Sequence, residues 1–303
     1  MTQSSLIRRE TPWGPMGIAD AHVHFFSHRF FETLAAQKAG LTLPEIAARL
    51  GASLPPEQPE ALAAAWVREL DRNGVAKAAL IASIPGDETS VEAAVRAHPD
   101  RFFAYAMVNP RAWDPARFAA IQAACLFPAM HAYSMHEDFV RPVFEWAEQH
   151  RRTVFVHCGV LSVGMRGRLG MASPFDMRFS NPVDLHFIAL RYPSVPIVVP
   201  HFGAGYFREA LMLADLCPNV YLDTSSTNSW TRYQEARLHL RDVFRRALDV
   251  VGPQRVLFGT DSSFGGWRSE IFEDQARALY EIDLSEADAR AVFQENLLRI
   301  LVR

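Results

Sequence analysis

The chain has 303 residues, 49% of them hydrophobic, and a net charge of −3 with no long run of one sign. That length and composition can bury a large core, either one large α/β domain or two smaller ones. The charge balance argues against nucleic acid or an anionic membrane as the main partner. Cys125, Cys158 and Cys217 are widely spaced and form no C-x-x-C, which fits a reduced compartment. Met1 to Glu10 is polar without an apolar signal core, and no apolar segment reaches bilayer length. The expectation is a cytoplasmic protein.

In chain order the apolar, β-rich runs are Gly17–Val23, Lys77–Ser83, Phe102–Val108, Ala124–Met130, Thr153–Cys158, Ile197–His201, Val220–Thr224 and Arg255–Thr260. Most are unbroken, as expected of parallel strands covered on both faces. Between them lie amphipathic stretches: Glu60–Asn73, Val91–Ala97, Asp138–His150, Pro182–Tyr192, Tyr206–Leu216 and Tyr233–Val250. Asp114-Pro115 and Asn181-Pro182 set a capping residue before a first-turn proline. Ser285–Arg303 reads as one or two closing helices.

Eight β/α repeats predict a (β/α)8 TIM barrel, a single domain over residues 1–303. An open doubly wound sheet is the rival, but no G-x-G-x-x-G follows the first strand. Long insertions follow strand 1 (Phe25 to about Glu57) and strand 5 (Val160–Ser180), at the end where a barrel carries its active site. Exposed apolar side chains in the first insertion would suit a homodimer.

Polar residues end these strands, and the same few types recur. Strand 1 ends in Asp20-Ala21-His22-Val23-His24, strand 5 in His157, strand 6 in His201 and strand 8 in Asp261. A lone strand-end histidine is more often structural than a ligand. Four histidines and an aspartate converging on one barrel mouth are a metal site in outline.

The phrases "DAHVHFF", "VFVHCG", "VVPHFGAG", "NVYLDTSS" and "LFGTDSSF" resemble the amidohydrolase superfamily, in its amidohydrolase-related branch. That branch includes aminocarboxymuconate-semialdehyde decarboxylase, nonoxidative aromatic-acid decarboxylases and hydrolases. The resemblance implies that His22, His24, His157 and Asp261 hold one divalent metal, Zn²⁺ first, with Mn²⁺ or Fe²⁺ next. It implies that His201 bonds a water or the substrate, and that Asp261 doubles as base. Binuclear members of the superfamily bridge two metals with a carboxylated lysine on strand 4. Here Cys125 stands near that place, and the chain's lysines are Lys38 and Lys77 alone, so one metal is expected.

The implied activity is hydrolysis of a small carboxylate-, lactone- or amide-bearing substrate by a metal-activated water. The alternatives are nonoxidative decarboxylation of a small aromatic or unsaturated acid, metal-independent lactonase chemistry, and a degenerate barrel used for binding.

Asp223 and Ser225 are expected either to orient a ligand histidine or to satisfy the barrel rim. Cys158, opposite in phase to His157, should be buried and inert. Arg166, Arg168 and Arg178 could clamp a substrate carboxylate, or remain solvated. His28, His131 and His136 lie near the same end. Phe25, Phe26, Trp230, Phe264 and Trp267 could line an apolar pocket or seal loops.

Overall fold

The computed structural model describes residues 7–173 and 175–302. The expected polar start at Met1–Leu6, Pro174 in the second insertion and the final Arg303 lie outside the described residues. Among the described residues, eight strands form one parallel sheet in chain order: β1 (Ala19–His24), β2 (Lys77–Ala82), β3 (Phe102–Val108), β4 (Ala123–Leu126), β5 (Thr153–Val156), β6 (Ile197–Val199), β7 (Val220–Asp223) and β8 (Val256–Leu257). Closure between β8 and β1 is carried by Ala21 N–H to Phe258 O and His24 N–H to Ser262 O, both 2.8 Å. The architecture is the (β/α)8 barrel that the alternating runs predict.

Two apolar layers follow from strand alternation. Ala79, Ile81, Phe103, Tyr105, Cys125 and Phe155 fill the barrel interior, and Leu297 and Ile300 of the last helix (Asn296–Leu301) plug its lower end. Ala78, Leu80, Phe102, Ala104, Val154 and Val156 face the surrounding helices.

The strand ends differ from expectation where backbone chemistry intervenes. β4 stops at Leu126 because Pro128 opens a short helix, Pro128–His131. β6 stops at Val199: Pro200 lacks an N–H, and His201 and Phe202 take left-handed φ values of 56° and 48°. β8 pairs only over Val256–Leu257, after which the chain turns over the mouth with Asp261 at φ 58°. The stretch Tyr233–Val250, expected to be one helix, is helical only over Leu240–Val251. His239 and Asp242 cap it, and Tyr233 lies in the rim of the mouth.

The insertions fold instead of looping. The first forms the helices His28–Ala36 and Leu43–Leu50, the latter started by a Thr42/Glu45 capping box. Phe30, Phe31, Leu34, Leu41 and Ile46 are buried in a separate apolar cluster with Leu169 of the second insertion. These apolar side chains of the first insertion thus pack into a cap beside the barrel mouth. Among the described residues no helix is long and apolar enough to cross a membrane. All three cysteines are buried and free.

Candidate active site

The two histidines of β1 reach the barrel interior through an irregularity in the strand. Asp20 pairs with Ala78 and Val23 with Leu80, so three steps on β1 oppose two on β2. Ala19 and Ala21 pack inside, whereas Ile18, Val23 and Phe25 pack outside. Unbroken alternation from Ala21 would send His22 and His24 outward among the helices. The extra residue re-aims both of them.

Asp20 points to the outer layer and pins this bulge. Its carboxylate accepts from the N–H of His22 (2.9 Å), the N–H and Oγ1–H of Thr260 (3.1 and 2.5 Å) and Nε1–H of Trp267 (2.8 Å). It is fully buried, and desolvation pushes its pKa up to about 6 against the lowering effect of those bonds. Sequence reasoning gave Asp20 no role, and its partners other than His22 lie some 240 residues away.

His22 Nδ1 lies 2.9 Å from Asp223 Oδ2 and 2.9 Å from Ser225 Oγ, leaving Nε2 to face the cavity 3.6 Å from Asp261 Oδ1. His24 Nδ1 lies 2.6 Å from Ser83 Oγ, and its Nε2 is 3.0 Å from the same Asp261 oxygen. Ser83 Oγ donates to Ile81 O, so it accepts the His24 Nδ1 proton. In that tautomer both Nε2 lone pairs face a carboxylate oxygen, an arrangement that calls for a cation between them, either a proton or a metal ion in its place. Two ligands at metal–N and metal–O distances of about 2.0–2.2 Å and a tetrahedral angle lie about 3.3–3.6 Å apart, which the His22 separation matches and the 3.0 Å His24 contact, a hydrogen-bond distance, falls just short of.

Burial would raise the Asp261 pKa, but the His24 hydrogen bond and the charges of His22, His24 and His201 hold it well below the ordinary carboxylate range. Ser226 Oγ donates to its other oxygen at 2.5 Å.

His201 Nδ1 lies 2.9 Å from the carbonyl of Ser225, so its Nε2 is an acceptor. Burial, and then the neighbouring His22, lower its pKa and keep the ring neutral. The residues after β6 are left-handed as a run, His201 through Gly205, a strained path that turns the imidazole over the mouth. His157 stacks on Phe127 (centroids 5.4 Å) and sits 5.2 Å from the His201 ring. Its buried Nδ1 has no hydrogen-bond partner among the described residues.

Of the expected metal ligands, His22, His24 and Asp261 present atoms within 4.8 Å of one another. His157 stands beyond that trio but lines the same cavity, with a ring nitrogen unspent. The donor set, three imidazoles and a carboxylate with one buried nitrogen orphaned, fits a divalent ion. Neither lysine is at the site: Lys38 donates to Leu169 O, and Lys77 to Asp100 O at the foot of β2.

Two glycines set the packing here. A Cβ on Gly159 (φ 80°) would sit 2.1 Å from Gly203 O. One on Gly259 would lie 3.1 Å from Cβ of both His22 and Ser225.

The cavity above these groups measures about 580 Å³. Of the residues left open between pocket and loop, Phe26, Trp230, Phe264 and Arg168 line it, whereas Phe25 is core and Trp267 is committed to Asp20. Arg166 instead donates to Gln37 and Ala172 O, and Arg178 pairs with Asp176. His28, against Pro55 O, lies in a separate surface cleft, and His136 stacks near Phe187. His131 keeps a buried, unpartnered Nδ1 outside the cavity lining. Cys158 is buried facing the outer layer, its thiol pKa pushed up by desolvation. Arg232, Tyr233 and Arg268 also line the cavity and were not singled out from the sequence.

Residues 19–301 match the family model described as Amidohydrolase. The chain belongs to the amidohydrolase family of enzymes. Protein fluG of Emericella nidulans is 35% identical over 85 residues, a stretch that is 28% of this chain and 9% of that protein. The chain thus matches under a tenth of that relative's length.

Among solved structures it is similar to 5-carboxyvanillate decarboxylase of Novosphingobium aromaticivorans, complexed with manganese and 4-hydroxy-3-methoxy-5-nitrobenzoic acid. There the TM-score is 0.63 and the identity 16%, with 100% of both chains covered. It is also similar to a protein of Acinetobacter baumannii named as a probable 2-pyrone-4,6-dicarboxylic acid hydrolase, crystallised with citric acid. That match has a TM-score of 0.61 and 13% identity, and covers 95% of this chain and 100% of the other. At such identities the likeness is one of fold.

Proposed function

We propose that this family member is a mononuclear metal-dependent hydrolase of a small carboxylate-, lactone- or amide-bearing substrate. One observation carries the reading: two Nε2 lone pairs, fixed from behind by Asp223 and Ser83, meet one Asp261 oxygen at the floor of a cavity. His22, His24 and Asp261 would hold the ion, with His157, which lines the same cavity, as a further ligand. Zinc is the first choice on ligand type, with manganese or iron(II) next. The ion would supply Lewis acidity and a water acidic enough to ionise near neutral pH.

The residues do the rest. His201, neutral and with Nδ1 bound to Ser225 O, offers Nε2 to accept a proton or to orient the substrate carbonyl. Asp261 stays ionised, and with Oδ1 turned to the ion its Oδ2, beside Ser226 Oγ, is the oxygen left to take a proton. Phe26, Phe127 and Trp230 exclude bulk water from one side of the cavity.

Nonoxidative decarboxylation is the second reading, favoured by the decarboxylases among structures of like fold. There the C–CO₂ bond breaks, its electron pair stays on the substrate carbon, and that carbon takes a proton that His201 Nε2, an acceptor at rest, has first drawn from water or a substrate hydroxyl.

The deciding experiment incubates protein loaded with zinc or manganese with lactones, amides and aromatic acids, following acid release and CO₂ release in parallel. The expected result is turnover in one channel, lost on chelation and in the His22→Ala/His24→Ala double variant. Turnover that survives both overturns the metal-dependent reading.

A further inference from the structure

A second cavity, of about 320 Å³, lies beside the catalytic one. The two share His24, Phe26, Ser263 and Phe264 as lining, so the pair of phenylalanines stands at their common boundary beside a proposed metal ligand. The side chamber runs between the helix Pro59–Arg72 and the loop after β8, with Leu62, Ala65 and Trp66 as its apolar wall. Trp66 is 7% exposed and belongs to the main core, so this wall is fixed.

The chamber's charges are already spent. Arg72 Nη1 lies 2.6 Å from Glu69 Oε2, and Glu69 Oε1 accepts from the N–H of Trp267 at 3.3 Å. A carboxylate entering here would find one cation, paired, next to an anion. An apolar group would find phenyl, indole and alkyl walls. At this volume the chamber is within the range of small-molecule subsites.

We infer that the side chamber is the specificity subsite, receiving an uncharged apolar arm of a carboxylic substrate whose reacting end lies at the histidine cluster. This rests on the catalytic reading above and narrows it. The substrate class is a monocarboxylic acid, or its ester or lactone, with an aryl or alkyl extension, and not a compact dicarboxylate. His24 sits at the branch point, so the arm leaves the reacting centre past Phe26 and Phe264. Phe26 stacks on His24 (centroids 5.3 Å, interplanar angle 10°), and Phe264 packs edge-on against Phe31 of the cap.

The test uses benzoate and a 4-alkylbenzoate series from methyl to hexyl, titrated calorimetrically into the zinc-loaded protein. Affinity should rise about three- to fourfold per methylene until the chamber is full. Ala65→Trp, which fills the chamber, should abolish the rise and leave benzoate unchanged. Leu62→Ala, which enlarges it, should weaken the hexyl compound about tenfold relative to benzoate, and serves if the tryptophan variant does not fold. A flat series, an equal rise in Ala65→Trp, or no binding by any member overturns the subsite. Chain-length dependence that survives chelation keeps the subsite and removes the metal; metal-dependent benzoate binding with a flat series does the reverse.

Discussion

His22 and Asp223 are joined across the barrel by a 2.9 Å contact between Nδ1 and Oδ2, and that contact decides which imidazole nitrogen faces the cavity. Asp223 is itself held, its other oxygen accepting from the N–H of Ser225 at 2.6 Å. Burial alone would raise its pKa, yet the His22 charge and hydrogen bond bring it below the ordinary carboxylate value. Asp223→Asn keeps size and shape but can offer an amide N–H where the carboxylate accepted one. The His22 tautomer is then no longer enforced. Metal affinity should fall about 10- to 100-fold with little change in Tm. Competition with a fluorescent chelator measures this, and an unchanged dissociation constant would show that Asp223 only fills the rim.

A separate buried carboxylate makes a pH prediction away from the metal ligands. Asp87 accepts from Ser27 Oγ at 2.8 Å and Ser90 Oγ at 2.5 Å, and burial pushes its pKa up to about 6 despite those bonds. The folded state therefore holds this proton more tightly than the unfolded chain. Stability from the group is full below pH ~4, the unfolded value, and declines as pH rises to ~6, by about 3 kcal/mol at most. Asp20 acts with the same sign, and the depressed Asp261 and Asp223 with the opposite one. The difference between wild type and Asp87→Asn isolates the one group. Asp87→Asn should gain stability relative to wild type between pH 4.5 and 7 in urea titrations, and a constant difference would refute the assignment.

Much of the site could be read from the sequence, because an apolar strand run that stops at His or Asp announces both the strand and its end. His157, His201 and Asp261 were found in that way. The H-x-H pair was found too, but alternation fixes only that the two side chains agree, not which way they point. Their direction depends on an extra residue between Asp20 and Val23, which no local pattern marks. Arg232 and Tyr233 were hidden for another reason. Gln234-Glu235-Ala236-Arg237 has helix-forming composition, so the segment read as the start of the next helix, whereas the cap forms only at His239. The cap over the mouth was invisible because its contacts join two insertions more than a hundred residues apart.

The two site glycines should respond differently to alanine. At Gly159 the new Cβ would meet a backbone oxygen that cannot move aside, and φ is positive as well. Gly159→Ala should cost at least about 3 kcal/mol. At Gly259 the neighbours are the Cβ atoms of His22 and Ser225 and the Asp223 carboxylate, each needing to give by a few tenths of an ångström. Gly259→Ala should cost less stability but weaken metal binding several-fold, because the side chains that must move are those that aim His22. Thermal melts beside metal titrations test the contrast, and equal losses on both scales would contradict it.

The cap makes the last prediction. Lys38 Nζ donates to the carbonyls of Leu169 (2.8 Å) and Gly170 (3.0 Å), and Arg49 Nη1 donates to Leu169 O at 3.1 Å. These carbonyls end the short helix Gly164–Arg168, where cations are favoured by its dipole and its unpaired acceptors. All three bonds are near solvent, so each contributes on the order of 1 kcal/mol or less to global stability. Their effect is local: they tie the second insertion, which carries Met165 and Arg168 into the cavity, to the helices of the first. In Lys38→Met/Arg49→Met, the apolar contacts of Phe30, Leu34 and Ile46 remain, so the barrel keeps its Tm within about 2 °C. Hydrogen exchange across residues 160–171 should quicken about tenfold, and KM should rise with kcat nearly unchanged, because the tie orders the substrate-facing wall and not the metal site. Unaltered exchange would mean that the apolar cluster alone holds the cap. A fall in kcat at constant KM would place the cap's influence on the chemistry itself.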